Sequence, residues 1–244
     1  MMNMWSMTAI IPTLNNPQGL TKLKQELDQA KIPTIIVDNS KHNRGFAVAV
    51  NWGAKQAQTE WLLILNDDVE GVTKEAIKQL SETAIKNKWS AISPILTNPN
   101  GEVENIGYTV LPIGKVRLNF DKTKVSDKDL DGLTAACLLI KRETFRKMGG
   151  FDESFFAYLE DVDLFLHLKQ AGFHFGLDTR MAVVHHHMST TRKIKGFKEK
   201  RDLINWWRII FKHRKRFCLS PTTLPLMLIE RGKNLSGWLK TYGP

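Results

Sequence analysis

Three groups of residues in this 244-residue sequence can carry chemistry. Asp38 closes the β-branched run Thr34–Val37, and Asp67 and Asp68 follow the apolar run Trp61–Leu65. In a parallel sheet such run ends share one edge, so the three acids are expected to converge on one site. Acids gathered in a chain of net charge +10 repel one another unless they share a cation, and hard oxygen donors with room for phosphate suit Mg²⁺ or Mn²⁺. Each acid alone has a plainer use, capping the next helix or favouring a turn. The second group, Glu160, Asp161 and Asp163, opens a helical pattern at Leu159–Gln170, where the helix dipole favours negative charge in any protein. Capping does not explain Phe155-Phe156-Ala157-Tyr158 just before it. Aromatic rings beside a carboxylate make a partly dry pocket that raises its pKa toward that of a general base. The third group is His185-His186-His187, with Ser189 and Thr190 next. In an extended segment His185 and His187 share a face, as metal ligands or diphosphate partners, and His186 points away.

The elements that must hold these groups alternate between strand-like and helix-like patterns. Met7–Ile11 is an apolar run ended by Pro12, and Leu20, Leu23, Leu27 and Ala30 form one helix face. After Thr34–Val37 comes a helix over Ala47–Ala57 with Val50 and Ala54 inward, then the strand Trp61–Leu65, then the amphipathic Lys74–Lys86. This rhythm implies parallel strands, crossover helices and ligands beyond the strands' carboxyl ends. Regularity weakens from the turn at Asn98–Gly101 through Gly107–Asp131. It returns at a buried strand over Leu133–Ile140, a short helix closed near Gly150, the helix ending at Gly172, and Ala182–Val184 leading into the histidines. A chain that is 42% hydrophobic can build one large α/β core. No apolar run is long enough to span a bilayer, no secretory leader is expected, and Cys137 and Cys218 sit in such different contexts that a reducing cytoplasm is expected. A pI near 9.6 implies an anionic partner of some kind.

Taken in order, several short blocks resemble the inverting glycosyltransferase family 2, particularly its rhamnosyltransferase-like members. They are Ile10-Ile11-Pro12-Thr13-Leu14-Asn15, Val37-Asp38-Asn39-Ser40, Asn43-Arg44-Gly45-Phe46-Ala47 with Asn51 and Gly53, and Leu65-Asn66-Asp67-Asp68-Val69. Then follow Leu138-Leu139-Ile140-Lys141-Arg142, Gly149-Gly150-Phe151-Asp152-Glu153, Tyr158-Leu159-Glu160-Asp161-Val162-Asp163-Leu164 and Val183-Val184-His185. The resemblance runs from about Met7 to Ser189. It implies an α/β chain of GT-A fold, with a Rossmann-like, mostly parallel central sheet flanked by helices. Residues 1–195 would form the transferase domain, with a nucleotide-binding half at 7–97 and an acceptor half at 98–195, and 196–244 a basic, aromatic helical extension. The resemblance assigns Thr13 and Asp38 to the nucleoside, and Asn43, Arg44 and Gly45 to base and ribose. Pro12, Asn15, Asn51, Asn66 and Asp67 would complete the nucleotide-sugar site. Asp68 would bind Mn²⁺ or Mg²⁺ in a DxD-like motif, with His185 and His187 beside metal and diphosphate, and Asp161 would be the catalytic base with Glu160 next to it. The implied partners are a UDP-, dTDP- or GDP-linked sugar donor and a glycan or lipid-linked acceptor, in the synthesis of a cell-surface polysaccharide. Ala135-Ala136 departs from a Gly-Ala pair, and Asp67 replaces a frequent proline.

Beyond Ser189 the sequence turns basic, and Lys198–Phe217 has the period of an amphipathic helix with Leu203, Trp206, Trp207, Ile210 and Phe211 on its apolar side. Such a helix suits peripheral contact with an anionic membrane's inner face, or packing against the domain; the period fits both. Nucleic acid is not an expected partner, because the aromatics form one stripe rather than punctuating a basic groove. Two alternatives accompany the transferase reading: a nucleotidyltransferase on a related sheet, and a non-catalytic sugar- or membrane-binding module. The first expects a glycine-rich, basic loop after the first strand, which Pro12-Thr13-Leu14-Asn15-Asn16 is not, and a dinucleotide dehydrogenase lacks its G-x-G-x-x-G there.

Overall fold

In the computed structural model, residues 6–121, 127–187, 196–217 and 220–242 are described. Ser189, Thr190 and Cys218, named above, lie outside them. The first elements follow the sequence pattern closely: β1 (Met7–Thr13), α1 (Pro17–Gln29), β2 (Thr34–Asp38), α2 (Phe46–Gln56), β3 (Trp61–Leu65), β4 (Val69–Glu70) and α3 (Lys74–Lys86). Helix starts are set by local chemistry. Asn16 caps α1 by accepting from the Gly19 N–H, with Pro17 supplying a first residue that needs no donor, and Thr73 caps α3 by accepting from the Ala76 N–H.

The second half is more regular than its sequence suggests. It comprises β5 (Ala91–Thr97), β6 (Val103–Asn105), β7 (Tyr108–Leu111), β8 (Lys115–Leu118), β9 (Cys137–Lys141), α4 (Arg142–Lys147), α5 (Glu160–Gln170) and β10 (Phe175–His185). The main sheet runs β2-β1-β3-β9-β5-β10-β4, with β6 added to β5. β1, β2 and β3 are parallel neighbours, and β5 and β10 are parallel to each other. β9 is inserted antiparallel between β3 and β5, so β1, β2, β3, β5 and β10 all point the same way and deliver their carboxyl ends to one edge.

β5 escaped the sequence pattern because Pro94 sits inside it, where a proline argues against a central strand. The structure accommodates it by splitting the pairing. Only Ala91 and Ile92 pair with β9, the Ser93 hydroxyl donates to the Cys137 carbonyl at 2.9 Å, and beyond Pro94 the partner becomes β6. β10 extends far upstream of Ala182 and carries a bulge between Asp178 and Ala182.

Alternate residues of the strands feed two cores. Ile11, Leu63 and Leu65 pack with α1 and α3, whereas Ile10, Leu62 and Ile64 pack with α2, α4 and α5. The C-terminal extension forms α6 (Phe197–Lys212) and α7 (Thr223–Tyr242). Trp206, Ile209 and Ile210 of α6 join Met227 of α7 in a third core with Tyr108, Val110, Phe155, Val162 and Leu166. Of the two uses open to the amphipathic α6, packing on the domain is the one its buried stripe serves; Phe211, 66% exposed, lies outside it.

Candidate active site

Beyond the carboxyl ends of β1 and β3 lies a cleft of about 640 Å³, whose walls include Pro12, Thr13, Asn43, Gly45, Asn66, Asp67, Asp68, Glu160, Asp161, His185 and His187. The sequence order of these residues spans most of the chain, so the sheet topology assembles them. Asp67 is braced from the β1–α1 loop: its Oδ2 accepts from the Thr13 hydroxyl at 2.6 Å and its Oδ1 from the Asn16 amide at 3.2 Å. Burial raises its pKa, and these two bonds oppose the rise.

Asp68 is only 3% exposed, and its Oδ1 lies 3.2 Å from His185 Nε2. The Asn66 amide nitrogen approaches the same Nε2 at 3.3 Å. On its other side His185 Nδ1 is 3.7 Å from Glu104, and His187 Nε2 is 2.6 Å from Glu104. The rings of His185 and His187 are 4.0 Å apart, and His186 turns instead to Glu70 at 2.8 Å, which is the alternation expected of an extended segment. Glu104, His185 and His187 offer ligand atoms all within 4.8 Å of one another, close to Asp68 through His185. Carboxylate oxygens mixed with imidazole nitrogens are a donor set that a divalent transition-metal cation accepts more readily than Mg²⁺ does. Glu104 has no sequence motif; pairing of β6 with β5 brings it in.

Asp38 does not join Asp67 and Asp68, contrary to the expectation of one converging acidic set. It is held below its ordinary pKa by hydrogen bonds from Ser40 and faces an adjoining groove of about 480 Å³ with Arg44, His42 and Trp52. Asn39 lines both grooves. Asn15 is exposed in a left-handed turn and lines neither. Asn51 is occupied elsewhere: its amide donates to the Phe151 carbonyl at 2.8 Å and its oxygen accepts from the Phe151 N–H at 2.9 Å, tying α2 to the loop after α4.

The three acids that open α5 take different roles. Asp163 points into the protein, where Lys212 and His213 at the end of α6 reach its two oxygens at 2.7 and 2.8 Å. Glu160 and Asp161 face the cleft. Asp161 accepts from the Val162 N–H at 2.8 Å and the Ala135 N–H at 3.3 Å, bonds that fix its orientation. Burial raises both carboxyls above the ordinary range, and the charge of Asp161 adds to the effect on Glu160.

The loop that presents them is strained and held from two sides. Phe156, Tyr158 and Leu159 all have positive φ, at 63°, 67° and 68°, each costing about 1–3 kcal/mol unless its surroundings enforce it. The buried Asn205 of α6 enforces it, donating to the carbonyls of Phe155, Ala157 and Tyr158 at 3.1, 2.9 and 2.7 Å. Arg201 lies 4.4 Å over the Phe156 ring. From the other side the first N–H groups of α2 point at the Phe156 carbonyl, with Phe46 at 2.6 Å. That approach requires Gly45: a Cβ there would lie 2.5 Å from the Phe156 oxygen, and its φ is +92°. Sequence reasoning missed Asn205, and nothing in an Asn within an amphipathic helix announces such a role.

Comparison with known proteins gives a consistent picture. The model of the family described as Glycosyl transferase family 2 matches residues 15–149. The O-antigen biosynthesis protein RfbC of Myxococcus xanthus is 30% identical over 72% of this chain and 14% of its own length. The N-acetylglucosaminyl-diphospho-decaprenol L-rhamnosyltransferase of Mycobacterium tuberculosis is 24% identical over 54% of this chain and 48% of its own. The chain therefore spans less than half the length of these relatives. Among solved structures, the mannosyltransferase PcManGT from Pyrobaculum calidifontis in complex with GDP-Man and Mn²⁺ superposes with a TM-score of 0.61 at 13% identity, over 97% of this chain and 73% of that one. GalNAc-T7 with UDP, GalNAc and Mn²⁺ gives 0.62 at 14% identity, over 86% and 48%. The shared architecture is the GT-A fold, a mixed α/β sandwich around a curled sheet.

Proposed function

Because this chain belongs to glycosyl transferase family 2, we propose that it transfers a sugar from a nucleoside-diphosphate sugar to an acceptor hydroxyl in glycan synthesis, inverting the anomeric centre, with Asp161 as base. The observation that carries this reading is that Asp161 and the Asp68–His185 pair open into one cleft. Asp161 takes the acceptor hydroxyl's proton, the freed oxygen attacks the anomeric carbon, and the nucleoside diphosphate leaves from the opposite face with the bonding electron pair. A carboxylate lifted by burial holds that proton better than an ordinary aspartate while remaining ionised near neutral pH. Asp68, His185, His187 and Glu104 would hold a divalent cation, which neutralises charge developing on the departing diphosphate when bound. Thr13, Asn39, Asn43 and Gly45 line the nucleoside end, and Asp38 reaches the nucleoside from the adjoining groove.

Isothermal calorimetry with UDP, dTDP and GDP, with and without Mn²⁺, tests this. Metal-dependent binding of at least one nucleotide is expected, and its absence for all three overturns the reading. The lipid-linked acceptor suggested by the name of the mycobacterial relative would be met at a membrane's inner face. We assign the peripheral contact to α7 rather than α6. Leu224, Leu228, Leu235 and Leu239, spaced on one side of α7, are each 42–53% exposed. Among the described residues no helix is long and apolar enough to cross a membrane.

A further inference from the structure

The C-terminal helices do more than brace the loop before α5: Lys198, Asp202 and Trp206 of α6, and Glu230, Arg231 and Asn234 of α7, form part of the cleft wall. All lie beyond the residues that the family model matches. Arg231 is 5% exposed, and its guanidinium lies 4.9 Å over the Trp206 ring. One nitrogen, Nη2, donates to the Gly114 carbonyl at 2.7 Å, which fixes the plane. Its Nε and Nη1 are buried and have no hydrogen-bond partner among the described residues. Three positions on, and therefore on the same face of α7, the buried Asn234 Oδ1 also has none. Buried donors and acceptors left unmade are costly, so a wall that keeps three of them beside an open cleft is built for a ligand that supplies the missing partners.

We propose that Arg231 and Asn234, seated against Trp206, form the subsite that holds neighbouring hydroxyls of a neutral acceptor sugar. The donor–acceptor pattern selects the ligand class. Two donating guanidinium nitrogens beside a carbonyl acceptor need a ligand that both accepts and donates, as vicinal hydroxyls do; a phosphate or carboxylate only accepts and meets the Asn234 oxygen with like polarity. Glu230 and Asp202 lie near Arg231 but are shared with Lys233, Lys115 and Lys198, so the local charge does not choose the ligand and the Asn234 oxygen does.

Calling the sugar an acceptor rests on the transferase reading; the presence of a sugar-binding wall does not. The test is saturation-transfer NMR on the full chain with UDP and Mn²⁺ present. The probes are the methyl glycosides of glucose, galactose, N-acetylglucosamine and rhamnose, with sodium pyrophosphate as an anionic competitor. At least one glycoside is expected to receive saturation, with the signal reduced fivefold or more in Arg231→Lys and Asn234→Ala. Calorimetric UDP binding should be unchanged in both variants, and pyrophosphate should not displace the glycoside. Absence of any glycoside signal in the wild type overturns the proposal, as does a signal that survives both substitutions or one that pyrophosphate abolishes. The Asn234 Oδ1 has no hydrogen-bond partner among the described residues, so Asn234→Ala decides the matter if Arg231→Lys melts early by circular dichroism. A glycoside signal that depends on Asn234 in a protein that binds no nucleotide would leave the sugar wall standing and remove the transferase reading.

Discussion

At the scale of single residues, the cleft holds two adjacent carboxyls whose environment keeps protons on them longer than solvent would. For Asp161 burial is the main cause, and it lifts the carboxyl to about 6. As a base it must be ionised, so kcat/KM is expected to be full above that value and to fall as pH drops through it, well above the ordinary aspartate range near 3.9. A pH–rate profile whose acidic limb sits near 4 would remove Asp161 from the role. Asp161→Asn is expected to lower kcat by about 10²–10⁴-fold while leaving nucleotide affinity unchanged, measured by released nucleoside diphosphate and by calorimetry. The same substitution should stabilise the fold. A carboxyl whose pKa is raised by folding is favourable below its unfolded pKa and becomes a liability as pH rises through its folded pKa. The melting temperature of Asp161→Asn should therefore exceed that of the wild type at pH 8 and converge with it at pH 4, a gain of about 1–3 kcal/mol at the higher pH.

At the scale of elements, the strained turn into α5 depends on helices that contribute nothing to the sheet. Asn205 supplies the donors for three of its carbonyls, and Arg208 in turn donates to the Asn205 oxygen at 2.9 Å. Asn205→Asp keeps the shape and removes the donors, leaving buried carbonyls beside a new carboxylate. It should cost about 1–3 kcal/mol in a thermal melt and lower kcat at least tenfold, with nucleotide binding intact because the β1 and β3 ends do not move. Anchoring of α6 is concentrated at its carboxyl end, where Lys212 bridges Asp152 and Asp163 and buried His213 completes the pairing. Burial alone would raise Asp152, but the Lys212 and Ser154 hydrogen bonds hold it at about 2. Lys212→Met leaves Asp163 with His213 and, at 3.7 Å, His167, and a loss of about 1–3 kcal/mol is expected. Because Asp152 also reverts toward an ordinary pKa, that loss should shrink as pH falls through the 4 to 2 window in which the wild-type pair itself is lost.

At the scale of the whole molecule, the family model matches residues 15–149, whereas the proposed base, the histidines and the α6–α7 cap come after them. The cap fills one side of the cleft, and the leucines of α7 that neighbour Arg231 along the helix stay half-exposed on its flank. If those leucines meet lipid, the chain should float with vesicles containing about 30% anionic lipid at 0.15 M salt, and Leu228→Ser combined with Leu235→Ser should reduce the bound fraction several-fold with no change in melting temperature. Equal flotation of the double variant would remove α7 as the contact.

The sequence alone determined what depends on local pattern. The 2.0 and 3.6 periods located β1 to β3 and α1 to α3, strand ends placed Asp67 and Asp68 at a common edge, and alternation set His186 apart from its neighbours. Tertiary structure decided whatever depends on partners far along the chain. Pro94 is tolerated in β5 because pairing switches from β9 to β6 at that point, and that switch brings Glu104 to His185 and His187. Asp163 turns from the cleft because Lys212 and His213, some fifty residues away, hold its two oxygens, leaving Glu160 and Asp161 to face the cleft. Arg231 reaches the cleft only because α7 packs over Trp206. Period and turn chemistry record what each segment buries, but the identity of the burying surface is a property of the assembled chain.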